Sequence, residues 1–204
     1  MNTSYPIPAG ENKIELEIKR SKFIAYAINV TDREHADAFV KHLKKTNPRA
    51  NHVCWAYIAG APETTARSMS DDGEPSGTAG MPMLKVLQYS GLGDVAVAVV
   101  RYFGGTKLGK GGLQRAYSDA VVQVLENLPS TLKVSRLQLR IEYDYNFQGA
   151  ISRLLQHYAV QERAETYHST VISNFAVAVS EASALEAELI NITSNNIVIY
   201  RPDE

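Results

Sequence analysis

The chain has 204 residues, of which 45% are hydrophobic and 21% are charged, and its formal net charge is −1. This composition is ordinary for a globular protein that buries a core. The single cysteine, Cys54, excludes an internal disulfide bond and favours a reducing compartment. No signal peptide is visible in residues 1–10, and no apolar run reaches the roughly 20 residues that cross a bilayer, so we expect a cytoplasmic protein without a membrane partner.

The charge is unevenly distributed along the chain. Residues 1–130 contain 15 Lys and Arg against 13 Asp and Glu, a balance of +2, whereas residues 131–204 contain 6 against 9, a balance of −3. A balance of +2 is too small to indicate a nucleic-acid partner by itself. Any basic patch must therefore be local.

The first 130 residues alternate between strand and helix patterns. Strands are predicted where apolar and polar residues alternate, or where an apolar run indicates burial on both faces. Thr31 and Glu34 form a capping-box pattern at the start of the first helix. In chain order we predict strands at 14–18 and 23–30, a helix from 31 to 47, a strand at 53–59, a Gly/Pro/Ser-rich segment at 60–82, a short helix at 83–89, a strand at 95–103 and a long helix after 112.

The second half has a simpler pattern, which follows a segment with the composition of a linker at 128–131. We predict strands at 137–143, 161–167, 171–179 and 197–200, a helix at 146–158 and a second helix capped by Ser180. The order β-α-β-β-α-β in about 70 residues is typical of the ferredoxin-like arrangement. The sequence therefore predicts an α+β protein with two domains, residues 1–130 and 134–204.

A glycine-rich loop lies between the predicted strand at 95–103 and the long helix. Glycines let backbone N–H groups approach a ligand closely, and a helix N-terminus adds free donors and a partial positive charge. Four cations accompany the glycines, which favours binding of a phosphate-type anion over the alternative, a tightly packed structural loop. The candidate anion-binding residues are Arg101, Gly104, Gly105, Lys107, Gly109, Lys110, Gly111, Gly112 and Arg115.

An acidic loop precedes the short helix and consists of Asp71, Asp72, Gly73, Glu74 and Pro75. Its three carboxylates suit a divalent metal or a general base. The favoured alternative is structural: Asp71 or Asp72 accepts hydrogen bonds from loop N–H groups and pairs with Arg101 or Lys107, as loop carboxylates commonly do. We predict no bound metal and no other cofactor.

Two further groups of basic residues are Lys19, Arg20 and Lys22 near the N-terminus, and Lys41, Lys44, Lys45 and Arg49 on the first predicted helix and its exit. Such clusters are often solvated faces, and the alternative is a groove that follows a phosphate backbone together with Arg101 and Lys107. Aromatic side chains such as Tyr102 and Phe103 are available for stacking on bases.

His52 and Cys54 lie two residues apart on a predicted strand and so share one of its faces. A cysteine–histidine nucleophile pair is one interpretation. The favoured interpretation is a core cysteine, because small uncharged cysteines are common in buried strands and no third orienting group is evident.

Two long blocks of the sequence resemble the signature sequences of the IMPACT family, in its bacterial branch. The first block is DDGEPSGTAG at 71–80, and the second is RYFGGTKLG at 101–109 followed by GGLQRAY at 111–117. Shorter matches lie at 21–24 and 52–57. The resemblance extends over essentially the whole chain, and the two blocks are far more specific than a lone glycine motif.

The resemblance implies a fold for each domain. The N-terminal domain is expected to be an α/β sandwich like the second domain of the fifth small-subunit ribosomal protein, and the C-terminal domain to be ferredoxin-like, similar to the last domain of elongation factor G. That elongation factor carries both domain types side by side, and eukaryotic relatives regulate translation. The resemblance therefore implies a nucleic-acid- or ribosome-binding protein with a role in translation control, rather than an enzyme. The alternative is an enzyme that acts on a phosphorylated small molecule or nucleotide through the glycine-rich loop.

Overall fold

The computed structural model describes residues 4–201, which form two compact units. The first unit is Tyr5–Lys133, and the second contains the residues from Val134 onward together with Ser4. Helices and strands are mixed in both units, so the predicted α+β class is confirmed. Within the described residues, no helix combines the length and the apolar character that a bilayer crossing requires.

A five-stranded antiparallel sheet forms the centre of the first unit. Its central strand, β6 (Val95–Tyr102), pairs with β3 (Ser21–Asn29) on one side and β4 (His52–Ile58) on the other. Every residue of β6 except Tyr102 is buried, as expected for a strand of Val and Ala that is covered on both faces. In spatial order the strands are β2 (Asn12–Ile18), β3 (Ser21–Asn29), β6 (Val95–Tyr102), β4 (His52–Ile58) and β5 (Arg67–Ser70).

Helices cover both faces of this sheet. On one face, α2 (Gly80–Ser90) and α3 (Lys110–Glu126) pack on a core that includes Val97. On the other face, α1 (Arg33–Thr46) packs on a smaller cluster that includes Ala98. Because successive strand residues point to opposite faces, β6 contributes to both layers.

A separate two-stranded ribbon joins β1 (Ser4–Pro8) to β7 (Ser130–Val134). The prediction of a linker at 128–131 is therefore wrong from Ser130 onward. The side chains of Tyr5 and Lys133 meet at the buried carboxylate of Asp94, with hydrogen bonds of 3.2 Å and 2.5 Å to the same oxygen, Oδ2. The exposed, polar residues of β7 resemble a linker in sequence because this strand buries little of its surface.

The second unit has the ferredoxin-like arrangement. Its sheet is antiparallel, with the strands in the order β11 (Ile197–Tyr200), β8 (Arg136–Tyr143), β10 (Val171–Ala178) and β9 (Gln161–Tyr167). The two helices pack on one face over buried residues such as Ile141 and Leu185. A 3₁₀ turn, Tyr145–Phe147, precedes the first helix. The elements are β8 (Arg136–Tyr143), α4 (Gln148–His157), β9 (Gln161–Tyr167), β10 (Val171–Ala178), α5 (Val179–Ile192) and β11 (Ile197–Tyr200).

Two helices begin differently from the prediction. Asp32, not Thr31, caps α1, because its Oδ1 accepts a hydrogen bond of 2.7 Å from the N–H of His35. Ser180 does not cap α5, since β10 runs directly into this helix at Val179. The N–H of Val179 instead donates to the carbonyl of Ser135 at 3.0 Å, so a neighbouring chain segment satisfies this donor.

We expect residues 134–204 to fold as an isolated fragment, because their buried residues form a cluster of their own. The fragment should unfold cooperatively in urea, with a modest stability typical of small cores. Leu185→Ala in the fragment should lower the free energy of unfolding by about 2–5 kcal/mol, as for other buried leucines. A gradual, non-cooperative urea transition of the unmutated fragment would show that this region depends on the rest of the chain.

Candidate functional site

The Asp71 carboxylate holds the acidic loop together and caps α2. Its Oδ1 accepts hydrogen bonds from the N–H groups of Ala79 (2.9 Å) and Gly80 (2.8 Å), and Oδ2 accepts one from Gly77 (2.8 Å). Because α2 has no side-chain cap of its own, Asp71 satisfies these donors from outside the helix. Burial raises the pKa of the Asp71 carboxyl, but the three donors outweigh burial and hold that pKa below its usual value.

The Asp72 carboxylate joins the acidic loop to β4 and α1. Its Oδ2 accepts a hydrogen bond from the N–H of Val53 at 2.7 Å, and its Oδ1 pairs with the ammonium group of Lys44 at 2.5 Å. The backbone carbonyl of Asp72 accepts a hydrogen bond from Nδ1 of His52 at 2.9 Å. Asp72 is thus fully engaged in positioning the loop.

The third carboxylate, Glu74, forms a buried ion pair with Arg101. Nη1 of Arg101 donates to Oε1 of Glu74 at 2.5 Å, and the hydroxyl of Tyr117 donates to the same oxygen at 2.8 Å. Arg101 is only 5% exposed and Glu74 only 7%. The predicted pairing of Asp71 or Asp72 with Arg101 or Lys107 is therefore wrong, since the partner of Arg101 is Glu74.

The three carboxylates do not converge on one point. Within residues 4–201, no group of three or more His, Cys, Asp or Glu side chains is placed to hold a metal ion. Gly73 and Pro75, the other predicted members of the loop, are exposed. The arrangement gives each carboxylate a separate partner, which accounts for the acidic composition of the loop.

Cys54 is fully buried beneath the acidic loop. Its sulfur lies 3.0 Å from the carbonyl oxygen of Asp71 and 3.3 Å from the hydroxyl of Tyr117. Burial raises the pKa of the Cys54 thiol to about 12, so the thiolate is scarce at neutral pH. Cys54 therefore belongs to the core, and His52 is directed to Asp72 and Glu74 instead.

The turn between β2 and β3 contacts the glycine-rich loop directly. Lys19 and Arg20 both adopt left-handed conformations, with φ of 49° and 64°, in a tight hairpin turn. A Cβ on Gly104 would lie 2.0 Å from the carbonyl carbon and oxygen of Arg20, so only glycine allows this approach. The N–H of Gly104 donates to the hydroxyl of Ser21 at 3.2 Å. Two segments that are about 80 residues apart in sequence are thereby fixed side by side.

The N-terminus of α3 offers free backbone donors. Its N-cap residue, Gly109, provides no side-chain cap, and its carbonyl accepts a hydrogen bond from the N–H of Leu113 at 2.9 Å. The N–H groups of Lys110, Gly111 and Gly112 have no acceptor among residues 4–201. A Cβ on Gly111 would meet no atom within 4 Å, and its φ lies outside the left-handed region. Neither packing nor backbone conformation therefore requires glycine at position 111.

The predicted basic residues fall into two groups. Lys22 pairs with Glu15 at 2.7 Å on the sheet, and Arg101 pairs with Glu74, so these two charges are neutralised. The others form no ion pair with any residue in the described part of the chain. We call four of these exposed cations, which lie on the hairpin turn, the glycine-rich loop and the start of α3, the basic edge: Lys19, Arg20, Lys107 and Lys110.

The remaining predicted site residues lie beside the basic edge. Arg115 is exposed on α3, about 7.5 Å along the helix axis from Lys110. Gly105 is exposed in the loop, and Gly112 packs against the side chain of Leu108. The hydroxyl of Tyr102 donates to Asn47 at 3.0 Å, so this ring belongs to the cluster under α1, whereas Phe103 is 46% exposed.

A pocket of about 470 Å³, here called the loop pocket, opens between the acidic loop, the end of β6 and the start of α3. Its lining includes six residues that the sequence predicts as site residues: Glu74, Pro75, Arg101, Lys107, Gly109 and Lys110. Asn51, Leu108 and Leu113 also line it and are not predicted, because an apolar or amide side chain does not by itself indicate an anion site, although Leu108 and Leu113 lie in the second signature block. A larger groove of about 680 Å³ between α2 and α3 is lined mainly by apolar side chains and carries fewer charges. The loop pocket is therefore the candidate site for polar chemistry.

Comparisons with known proteins agree with the two signature blocks. A model of the Impact N-terminal domain matches residues 19–125. An IMPACT family member of Haemophilus influenzae is 38% identical over 196 residues, which span 96% of this chain and 95% of that protein. The IMPACT family member YigZ of Escherichia coli is 34% identical over 202 residues, which span 98% and 99%.

A solved structure described as a crystal structure of a hypothetical protein is similar over the entire length of both chains, with 33% sequence identity and a TM-score of 0.72. Its similarity covers both units and supports the fold described above. The sequence blocks, the family model and the two full-length relatives agree: this chain belongs to the IMPACT family.

Proposed function

We propose that this protein binds RNA or the ribosome in a translation-control role, and that the basic edge is the surface that contacts the phosphate backbone. The observation that carries the proposal is that Lys107 and Lys110 flank a helix N-terminus with three free N–H groups. Lys19 and Arg20 lie on the hairpin turn that contacts the same glycine-rich loop. Within residues 4–201, no carboxylate neutralises any of these four charges. Unpaired cations beside free backbone donors favour a polyanionic partner.

Family membership supports the translation part of this proposal. The resemblance described above implies a ribosome- or RNA-facing role, because eukaryotic relatives regulate translation and elongation factor G carries both domain types. The charge balance of the chain is consistent with it. The first unit carries the basic edge, whereas residues 131–204 have a balance of −3 and would repel a polyanion. The first unit should therefore lead the interaction.

Binding to single-stranded RNA should depend strongly on salt. Each phosphate contact contributes roughly −0.7 to the slope of log affinity against log salt concentration, so four contacts give a slope of about −3. Replacing Lys107 and Lys110 with alanine should weaken binding to all sequences alike and make the slope shallower by about 1.4. Fluorescence anisotropy titrations of an RNA of mixed sequence at three salt concentrations would measure both effects.

A matched control is available on α1, which packs on the opposite face of the sheet from α3. Lys41 and Lys45 are exposed, and replacing both with alanine changes the net charge by the same amount. This variant should retain the slope of the unmutated protein. Equal slopes for the Lys107/Lys110 variant and the unmutated protein would rule out the phosphate contacts, and the absence of binding at low salt would rule out the proposed function.

A further inference from the structure

The carboxylate of Glu74 keeps one oxygen without a protein partner on the wall of the loop pocket. Both hydrogen bonds to the Glu74 carboxylate end on Oε1, so Oε2 accepts none from residues 4–201. Nε of Arg101 is buried and also lacks a partner. Both side chains are more than nine-tenths buried, and both line the pocket. Oε2 of Glu74 is not fully enclosed, so a donor on a ligand can reach it from the pocket, whereas Nε of Arg101 is enclosed by protein and is not offered to a ligand.

The charge of the pocket suits a terminal phosphate. Arg101, Lys107 and Lys110 line it together with one carboxylate, Glu74, which leaves a formal charge of +2 when the imidazole of His52 is counted as neutral. A phosphate monoester carries a charge of about −1.5 to −2 at neutral pH, whereas a phosphodiester inside an RNA chain carries only one negative charge. The pocket therefore matches a monoester better than an internal phosphate.

The free N–H groups at the start of α3 identify where this phosphate would lie. Gly109, Lys110 and Leu113 line the pocket at this helix end. Phosphates bind helix N-termini through such N–H groups and the helix dipole. The absence of a side chain at Gly111, which the fold itself does not require, keeps these donors open to a ligand.

Phe103 supplies the other half of a nucleotide site. Its ring lines the pocket, remains 46% exposed and lies 5.6 Å from the guanidinium carbon of Arg101. The backbone N–H of Phe103 donates to Asn51 at 2.8 Å, which holds the residue at the rim. An exposed aromatic ring beside a cationic phosphate site is the usual platform for stacking a base.

We infer that the loop pocket binds one nucleotide through its terminal monophosphate, with the phosphate at the N-terminus of α3 and the base stacked on Phe103. Glu74 Oε2 accepts a hydrogen bond from a sugar hydroxyl or base N–H of the ligand. A volume of about 470 Å³ lies within the usual range for small-molecule pockets. This inference rests on the proposed function only if the bound nucleotide is the 5′ end of an RNA.

The test compares three ligands, two of which carry a terminal monophosphate and one of which does not. Two are the same ten-nucleotide RNA with a fluorescent label at the 3′ end, carrying either a 5′-monophosphate or a 5′-hydroxyl, and the third is a free nucleoside 5′-monophosphate used as competitor. The unmutated protein should bind the phosphorylated RNA about tenfold more tightly, since the additional charge-assisted hydrogen bonds are made only to that end. The free nucleotide should abolish this preference, and inorganic phosphate at equal concentration should do so less effectively.

Four variants separate the contribution of the pocket from that of the hairpin cations of the basic edge. Gly111→Asp places a carboxylate in the first turn of α3, which suits the helix dipole but repels the phosphate, and Gly111→Ala is its control. Phe103→Ala should weaken binding of the free nucleotide about tenfold. Replacing Lys19 and Arg20 with alanine should weaken binding of both RNAs and leave the preference for the 5′-phosphate intact. Thermal unfolding checks that each variant is folded.

Each outcome decides between the two proposals. Equal affinity of the unmutated protein for both RNAs overturns the pocket inference and leaves the proposed function standing. Binding of the free nucleotide without binding of either RNA supports the pocket and overturns the proposed function. Inorganic phosphate that competes as well as the nucleotide, or a Gly111→Asp variant that retains the preference, also overturns the inference.

Discussion

Replacing Glu74 with alanine should lower the free energy of unfolding by about 3–5 kcal/mol, because a buried guanidinium then loses its counter-ion. Arg101 is 5% exposed and makes its shortest hydrogen bond, 2.5 Å, to Glu74. Its other contact, to the hydroxyl of Ser21, is 3.5 Å long, and its Nε has no partner. The change also frees the hydroxyl of Tyr117. Urea unfolding followed by circular dichroism measures the loss.

Two controls distinguish the ion pair from a general effect of removing a carboxylate. Glu63 is exposed, and Glu63→Ala should change the unfolding free energy by no more than about 0.5 kcal/mol. Combining Glu74→Gln with Arg101→Met removes both charges and should cost less than the sum of the two single changes. A Glu74→Ala variant that stays within about 1 kcal/mol of the unmutated protein would contradict the buried ion pair.

Replacing Asp71 with alanine should lower the free energy of unfolding by about 3 kcal/mol, because three N–H donors lose a charged acceptor. The loss combines two functions, since Asp71 both closes the acidic loop and caps α2. Asp71→Asn should cost only about 1–2 kcal/mol, since the amide oxygen can still accept the bonds from Ala79 and Gly80. Chemical denaturation of both variants measures this order. An asparagine variant as unstable as the alanine variant would contradict it.

The contribution of Asp71 should also depend on pH. The pKa of Asp71 is lower in the folded protein than in the unfolded chain, so its stabilisation is complete above the unfolded pKa and is lost as pH falls through the folded pKa. The difference in unfolding free energy between the unmutated protein and Asp71→Asn should be constant from about pH 5 to pH 8 and should shrink below about pH 4. The exposed Asp119 provides the control substitution, Asp119→Asn, which removes a carboxylate in the middle of α3 that caps no helix. A difference for Asp71→Asn that grows on acidification would contradict the assignment.

The predicted strands are those whose own sequence carries a strong pattern. β6 is a run of Val and Ala and β8 alternates cleanly, so the central strands of both sheets were predicted correctly. β1, β5 and β7 were missed because they are short and polar or contain proline. β1 and β7 form only by pairing with each other across the length of the first unit, which the local pattern does not encode, whereas β5 pairs with its sequence neighbour β4.

The start of α2 also depends on a residue outside the local sequence pattern. The sequence predicts this helix from Met83, after the proline at position 82, but the helix begins at Gly80. Proline is tolerated in the first turn, where its missing N–H has no helical acceptor. The donors that precede it are satisfied by Asp71, which lies eight and nine residues earlier in the chain. Capping from outside the helix cannot be recognised from the residues at the helix end.

For the candidate site, the sequence indicated the segments but not their internal pairing. The glycine-rich loop and the start of α3 lie beside the loop pocket, and the cations Lys107 and Lys110 line it. The ion-pair partner of Arg101 is not the one that the sequence predicts. Glu74 is bound by Arg101 and by Tyr117, which are 27 and 43 residues away from it in the sequence. Contacts over such separations are fixed by the order of strands in the sheet, which the sequence pattern leaves open.

The ribbon of β1 and β7 also has a consequence for how this protein can be rearranged. Tyr5 and Lys133, which open and close the first unit, share one buried carboxylate, that of Asp94. A unit whose two ends meet needs only one point of attachment in a host chain. It can therefore be inserted into a surface loop of another protein, or its ends can be joined by a few residues and new termini opened at an exposed turn, without stretching its sheet.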